Sequence, residues 1–109
     1  MAYHEIYAGI LRDALATLDG VTEKRMFGGL CFMLHGNMLC GVDKGAGMAR
    51  VGKDNQAAAL ALPGIEPLSF TGRKMGGMVD IEPEAMENEA TLRAVLDLAL
   101  DFVAALPAK

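Results

Sequence analysis

With 109 residues, 52% of them hydrophobic and 22% charged, the chain has the length of one domain and too much apolar side chain for an intrinsically disordered segment. The 14 acidic residues outnumber the 10 basic ones and leave a net charge of -4, so the cationic footprint that phosphate-backbone binding draws on is missing and direct nucleic-acid contact is disfavoured. The start, Met1-Ala2-Tyr3-His4-Glu5, has no basic leader region, and charge interrupts the apolar residues that follow it every few positions, so neither a signal peptide nor a membrane span is expected there.

In chain order, Ile6, Tyr7, Ile10, Leu11, Ala14, Leu15 and Leu18 recur at three-and-four spacing with Glu5, Arg12 and Asp13 off the stripe, which predicts an amphipathic helix ended by Asp19-Gly20. Residues 23–34 read as one strand with a bulge or sharp bend at Gly28-Gly29. His35-Gly36-Asn37 supplies a turn, and residues 38–43 return as the second strand of a hairpin. After Lys44-Gly45-Ala46-Gly47, a third strand spans 48–51. Asp54 is placed to cap a short helix over 56–62, which Pro63-Gly64 stops. Two strands near 67–70 and 78–81 flank the glycine-rich stretch that runs from Thr71-Gly72-Arg73-Lys74 to Gly76-Gly77. Leu92, Val95, Leu96, Ala99, Phe102, Val103 and Leu106 then mark a final helix from about Asn88 to Pro107. The expected fold is α+β: a single two-layer domain over residues 1–109, a five-stranded antiparallel sheet with helices on one face, in the order α-β-β-β-α-β-β-α.

Residues with chemical potential do not assemble into a catalytic motif. Gly47 to Lys53 has the glycine and lysine spacing of a phosphate-binding loop, but Asp54 stands where a magnesium-holding hydroxyl belongs. Ser69 and the threonines Thr17, Thr22, Thr71 and Thr91 sit in no nucleophile elbow. Asp80, Glu82, Glu84 and Glu87 precede the last helix, where negative charge favours a helix N-terminus. Cys31, Cys40, His4 and His35 lack metal-ligand spacing. A two- or four-residue hairpin loop puts Met33 opposite Cys40 and Cys31 diagonal to it on one face, and a three-residue loop puts the two sulfurs on opposite faces. Two buried free thiols are expected, in a reducing, cytoplasmic setting. No enzyme activity, cofactor or metal is expected.

Lys24-Arg25 and Arg73-Lys74 each lie near a glycine pair and, with Arg50 and Lys53, are expected along one sheet edge. Charges there keep exposed strands from pairing with other chains. Eight methionines suit core filling or an adaptable contact surface.

The run Arg25-Met26-Phe27-Gly28-Gly29-Leu30-Cys31-Phe32-Met33, then Gly36-Asn37-Met38, then Phe70-Thr71-Gly72-Arg73 with Met78, resembles the TfoX N-terminal domain family. The resemblance covers essentially the whole chain, and the Met-Phe-Gly-Gly block is its specific part. It implies a two-layer α/β fold similar to that of secretion chaperones and a link to natural competence, whose longer regulators carry a second domain and act as transcriptional coactivators. This chain ends at Lys109 after its last helix and is expected to be a stand-alone member. The resemblance supplies no catalytic residues.

The expected role is a non-enzymatic interaction domain, a regulatory accessory factor that binds a protein partner or a second copy of itself through a sheet edge or methionine-rich surface. The expected contact residues are Arg25, Phe27, Gly28, Gly29, Arg73 and Lys74, with the glycines shaping the bend, Phe27 anchoring the packing and the cations at its margin. The alternative is a small-ligand or anion-binding module that uses the glycine turns in 45–53 and 72–77.

Overall fold

The computed structural model describes residues 5–26, 28–43, 46–70 and 73–108, and of residues 26, 69, 70 and 73–75 the backbone alone. The elements follow in the order α1 (Glu5–Ala14), β1 (Val21–Met26), β2 (Gly29–Leu34), β3 (Asn37–Val42), β4 (Gly47–Arg50), α2 (Gln56–Leu60), β5 (Ile65–Phe70), β6 (Arg73–Ile81), α3 (Pro83–Met86) and α4 (Glu89–Val103). One six-stranded sheet results, ordered β1-β2-β3-β4-β6-β5, with every neighbouring pair antiparallel.

The sixth strand corrects the expected five. Residues 23–34 are not one bent strand: the chain reverses after Met26, which pairs with Gly29, and β1 folds back on β2. Gly28, at φ 73, takes the left-handed backbone that this reversal needs. A bulge and a tight reversal use the same glycine pair, so only the pairing partner separates them. The second addition is α3, where Pro83 sits in the first turn behind Glu82, so part of the acidic run belongs to a separate short helix.

The next hairpin closes through His35 and Gly36, at φ 50 and 86, as a turn with two positive φ angles requires. Leu34 pairs with Asn37 and Met33 with Met38, but Phe32 pairs with Cys40, so β3 carries one extra residue, Leu39, in a bulge. That bulge decides the cysteines. Phe32 shares a face with Cys40, while its neighbour Cys31 lies opposite Gly41, so the thiols point to opposite faces although the loop has two residues.

The helices pack on one face. Ala8 and Leu11 of α1, Ala59 of α2, Ala85 and Met86 of α3, and Leu92, Val95, Leu96, Ala99 and Val103 of α4 join Leu30, Phe32, Leu34, Val42, Ala49, Val79 and Ile81 in one core. Full burial of each large side chain contributes about 1.5–3 kcal/mol, so this face carries most of the hydrophobic stabilisation. The other face carries the methionines: Met33 and Met38 are paired and half-buried, and Met48 and Met78 are buried. Met48 lies across Gly41, where a Cβ would stand 3.1 Å from its Cε.

Side chains tie the helices to the sheet. Asn88 accepts from the Thr91 N–H at 3.0 Å and caps α4. Asn37 Nδ2 donates to the Pro107 carbonyl at 2.9 Å and anchors the tail of α4 on β3. Asn55, rather than Asp54, occupies the cap position of α2, and its amide reaches α4 instead, donating to the Leu98 carbonyl at 3.2 Å and to Asp101 Oδ2 at 3.1 Å.

Both sheet edges resist chain addition. Thr22, Glu23, Lys24 and Arg25 of β1 are all exposed, and β5 carries Pro67, which has no N–H to donate.

Candidate functional site

The structure separates the expected contact residues. Arg25 is exposed on edge strand β1, Gly28 occupies the β1–β2 reversal, and Gly29 begins β2. Phe27 lies outside the described residues. Arg73 and Lys74 begin β6, paired with Phe70 and Ser69, and their side chains are not described. Four strand intervals, roughly 19 Å at sheet spacing, separate β1 from β6. Register also places the two groups at opposite ends, because Arg25 shares a row with Leu30, Val42, Gly47 and Ile81, while Arg73 and Lys74 lie beyond Met78. The basic residues therefore do not line one edge: Arg50 ends the interior strand β4, and Lys53 follows it.

Two other surfaces are built instead. The first is a groove of about 380 Å³ between α1 and the α3–α4 segment. Ile10, Ala14, Met86, Leu92 and Leu96 supply its apolar walls, and the exposed carboxylates Asp13, Glu87 and Glu89 stand on its rim. Arg93 crosses it, donating to the Ala14 carbonyl at 3.5 Å and approaching Asp97 at 3.9 Å. One turn before Ile10, Ile6 is 75% exposed. The apolar stripe of α1 is wider than the face it buries, and the stripe alone does not show which of its members stays outside.

The second is a hollow of about 360 Å³ where the two glycine turns meet. Arg50, Gly52, Lys53 and Asp54 line one side, Gly76, Gly77 and Met78 another, and Phe102 of α4 closes it. The Arg50 guanidinium carbon lies 5.3 Å from the Phe102 ring centroid, a cation–π contact. Gly77 locks the turns together. Its carbonyl accepts from the Val51 and Gly52 N–H groups at 2.9 and 3.0 Å, and its own N–H donates to Gln56 Oε1 at 3.2 Å. Gly52 and Gly77 adopt φ 85 and 83, so the approach depends on residues without a Cβ. The two turns were legible as a pair of candidates; Phe102 and Gln56 were not, since each arrives from another element.

The titratable groups divide along the sheet. Burial, then the charges of Asp43, Glu82 and Glu66, push Asp80 up to about 6. Across from it in the same row are Met48, Gly41 and Cys31. Burial, then the Asp43 charge, raises the Cys31 thiol, and burial raises Cys40 far out of reach of neutral pH, so both stay protonated and poor nucleophiles. Glu23 is held below its ordinary range by the Arg12 guanidinium, which donates to its two oxygens at 2.7 and 2.9 Å. Among the described residues, no group of three or more His, Cys, Asp or Glu side chains is arranged to hold a metal ion, and no helix is long and apolar enough to cross a membrane.

No curated protein and no solved structure matches the chain. The model of the TfoX N-terminal domain matches residues 13–103, from the last two residues of α1 to the end of α4, and takes in the whole sheet and the hollow between the glycine turns, while Ile10 of the groove and Ile6 beside it precede the match. On that match, the chain belongs to the TfoX N-terminal domain family.

Proposed function

We propose that this domain is a non-enzymatic interaction module, a regulatory accessory factor whose seat for a partner is the α1/α3–α4 groove rather than a sheet edge. The observation that carries this reading is the exposed Ile6 standing beside an apolar groove rimmed by Asp13, Glu87 and Glu89. Apolar walls reward burial of a partner's apolar side chains, and a rim of carboxylates selects a cationic one. The fitting partner is an amphipathic helical segment with lysines or arginines flanking its apolar stripe. Family membership supports a role in regulation, the setting in which TfoX N-terminal domains are known through competence.

The test is an amide-shift titration with a synthetic lysine-bearing amphipathic helix. Saturable shifts confined to α1 and the first half of α4, lost in Ile6→Asp and weakened by salt, are the expected result. Shifts scattered over the surface, or unchanged in Ile6→Asp, refute the reading, and because Ile6 is so exposed the substitution leaves the core intact.

A second reading, a small-ligand or anion-binding module, is favoured by one observation: the turns at Gly52-Lys53 and Gly76-Gly77 converge on one hollow.

A further inference from the structure

We infer that the hollow between β4, the 52–55 turn and β6 is a binding site for a small phosphate-bearing anion held by Arg50 and Lys53, an inference that rests on the ligand-binding reading of the glycine turns. Among the described residues the ion pairs are Arg12 with Glu23 and Arg93 with Asp97, so neither Arg50 nor Lys53 has a carboxylate within 4.0 Å. Two cations that face one cavity with a single carboxylate, Asp54, on its lining are only half neutralised, and an anion between them removes the remaining repulsion.

Each cation is held in place. The Phe102 ring holds the Arg50 guanidinium carbon 5.3 Å from its centroid, and a guanidinium donates in the fork geometry that matches phosphate oxygens. The Lys53 stem lies against Gly76, where a Cβ would stand 3.2 Å from its Cε, so the missing side chain lets the lysine lie flat beside the hollow. The Gly77 hydrogen bonds to Val51, Gly52 and Gln56 fix the two turns relative to each other. Binding therefore requires little ordering of backbone, which is where most of the entropic cost of a loop site arises.

Size and charge choose the ligand. A cavity of about 360 Å³ accommodates a phosphate with a small attached body rather than a polymer. Asp54 also lines the hollow and reduces its charge, which suits one phosphate group. The overall charge of -4 repels an extended polyanion, whereas a small anion feels mainly the local pair.

The experiment is an amide-shift titration of the intact chain with inorganic phosphate and with pyrophosphate, at constant ionic strength held with chloride. The expected result is saturable shifts at the amides of Gly52, Lys53, Gly76 and Gly77. Lys53→Ala and Arg50→Ala should each weaken binding by about tenfold, the loss of one charge-assisted hydrogen bond. Asp54→Asn should tighten it. Lys53 is exposed, so its alanine variant keeps the fold, and the melting temperature of each variant is checked beside the titration. Saturable shifts that map elsewhere, or that survive in both alanine variants, overturn this site while leaving an anion-binding module in place. No saturable shift anywhere overturns the module reading as well.

Discussion

At one end of the sheet Asp43, Glu66, Asp80 and Glu82 crowd together until Asp80 holds its proton up to about pH 6, whereas at the other end Arg50 and Lys53 share a hollow without a carboxylate partner among the described residues. Each end also uses glycine, for different reasons. Gly28 and Gly29 close a hairpin at the acidic end, and Gly76 and Gly77 let a lysine stem and a neighbouring turn approach at the cationic end. The net charge of -4 hides this segregation, because a sum over the chain says nothing about which residues the register brings together.

The largest expected effect separates two adjacent glycines at the acidic end. At Gly29 a Cβ would overlap the Val42 carbonyl oxygen on the paired strand, backbone that cannot move aside, so Gly29→Ala should destabilise by about 3 kcal/mol, the upper range for overpacking. Gly28 has open space around it and only its φ of 73 to object, so Gly28→Ala should cost about 1 kcal/mol and Gly28→Asn less. Urea unfolding of the three variants decides it; equal losses at both positions would show that torsion, not space, governs the pair.

The next effect tests the carboxylate crowd. The pKa of Asp80 in the fold lies above its ordinary 3.8, so the native state binds the proton more tightly than the unfolded chain, and stability falls as pH rises from about 4 to about 6. Asp80→Asn removes the charge and should raise the melting temperature at pH 7 to 8, by a stabilisation of about 1 kcal/mol after solvent screening of a half-exposed group. The gain should shrink through pH 6 and vanish near pH 4. A gain independent of pH would mean that asparagine helps by packing or hydrogen bonding, and the electrostatic contrast between the two ends would lose its support.

The smallest effect comes from a charge pair that belongs to neither end. Arg12 and Glu23 join α1 to β1 with side chains 43% and 37% exposed, so Glu23→Gln should cost only about 0.2–1 kcal/mol at neutral pH. The Glu23 pKa is depressed, so the contribution is present above the ordinary 4.5 and is lost as pH falls through the lowered value. The slope of stability with pH should thus run opposite to that of Asp80, which gives an internal check on sign.

The periodic segments were legible in the sequence because periodicity is a local property. The stripes of α1 and α4, the start of α4 near Asn88, the strands β3 and β4 and the Met-Phe-Gly-Gly block that carries the family resemblance all depend on residues a few positions apart. The tertiary structure decided what depends on distant partners. Gly28-Gly29 became a reversal because Met26 found Gly29, which added a strand. The Leu39 bulge put Cys31 and Cys40 on opposite faces against the parity of their loop. The strand order sent Arg25 and Arg73 to different ends of the sheet, while Phe102 travelled along α4 to cover Arg50. Composition and spacing determined that an α+β fold forms; register and strand order, which are set by contacts between residues far apart in the chain, determined where its charges and hollows lie.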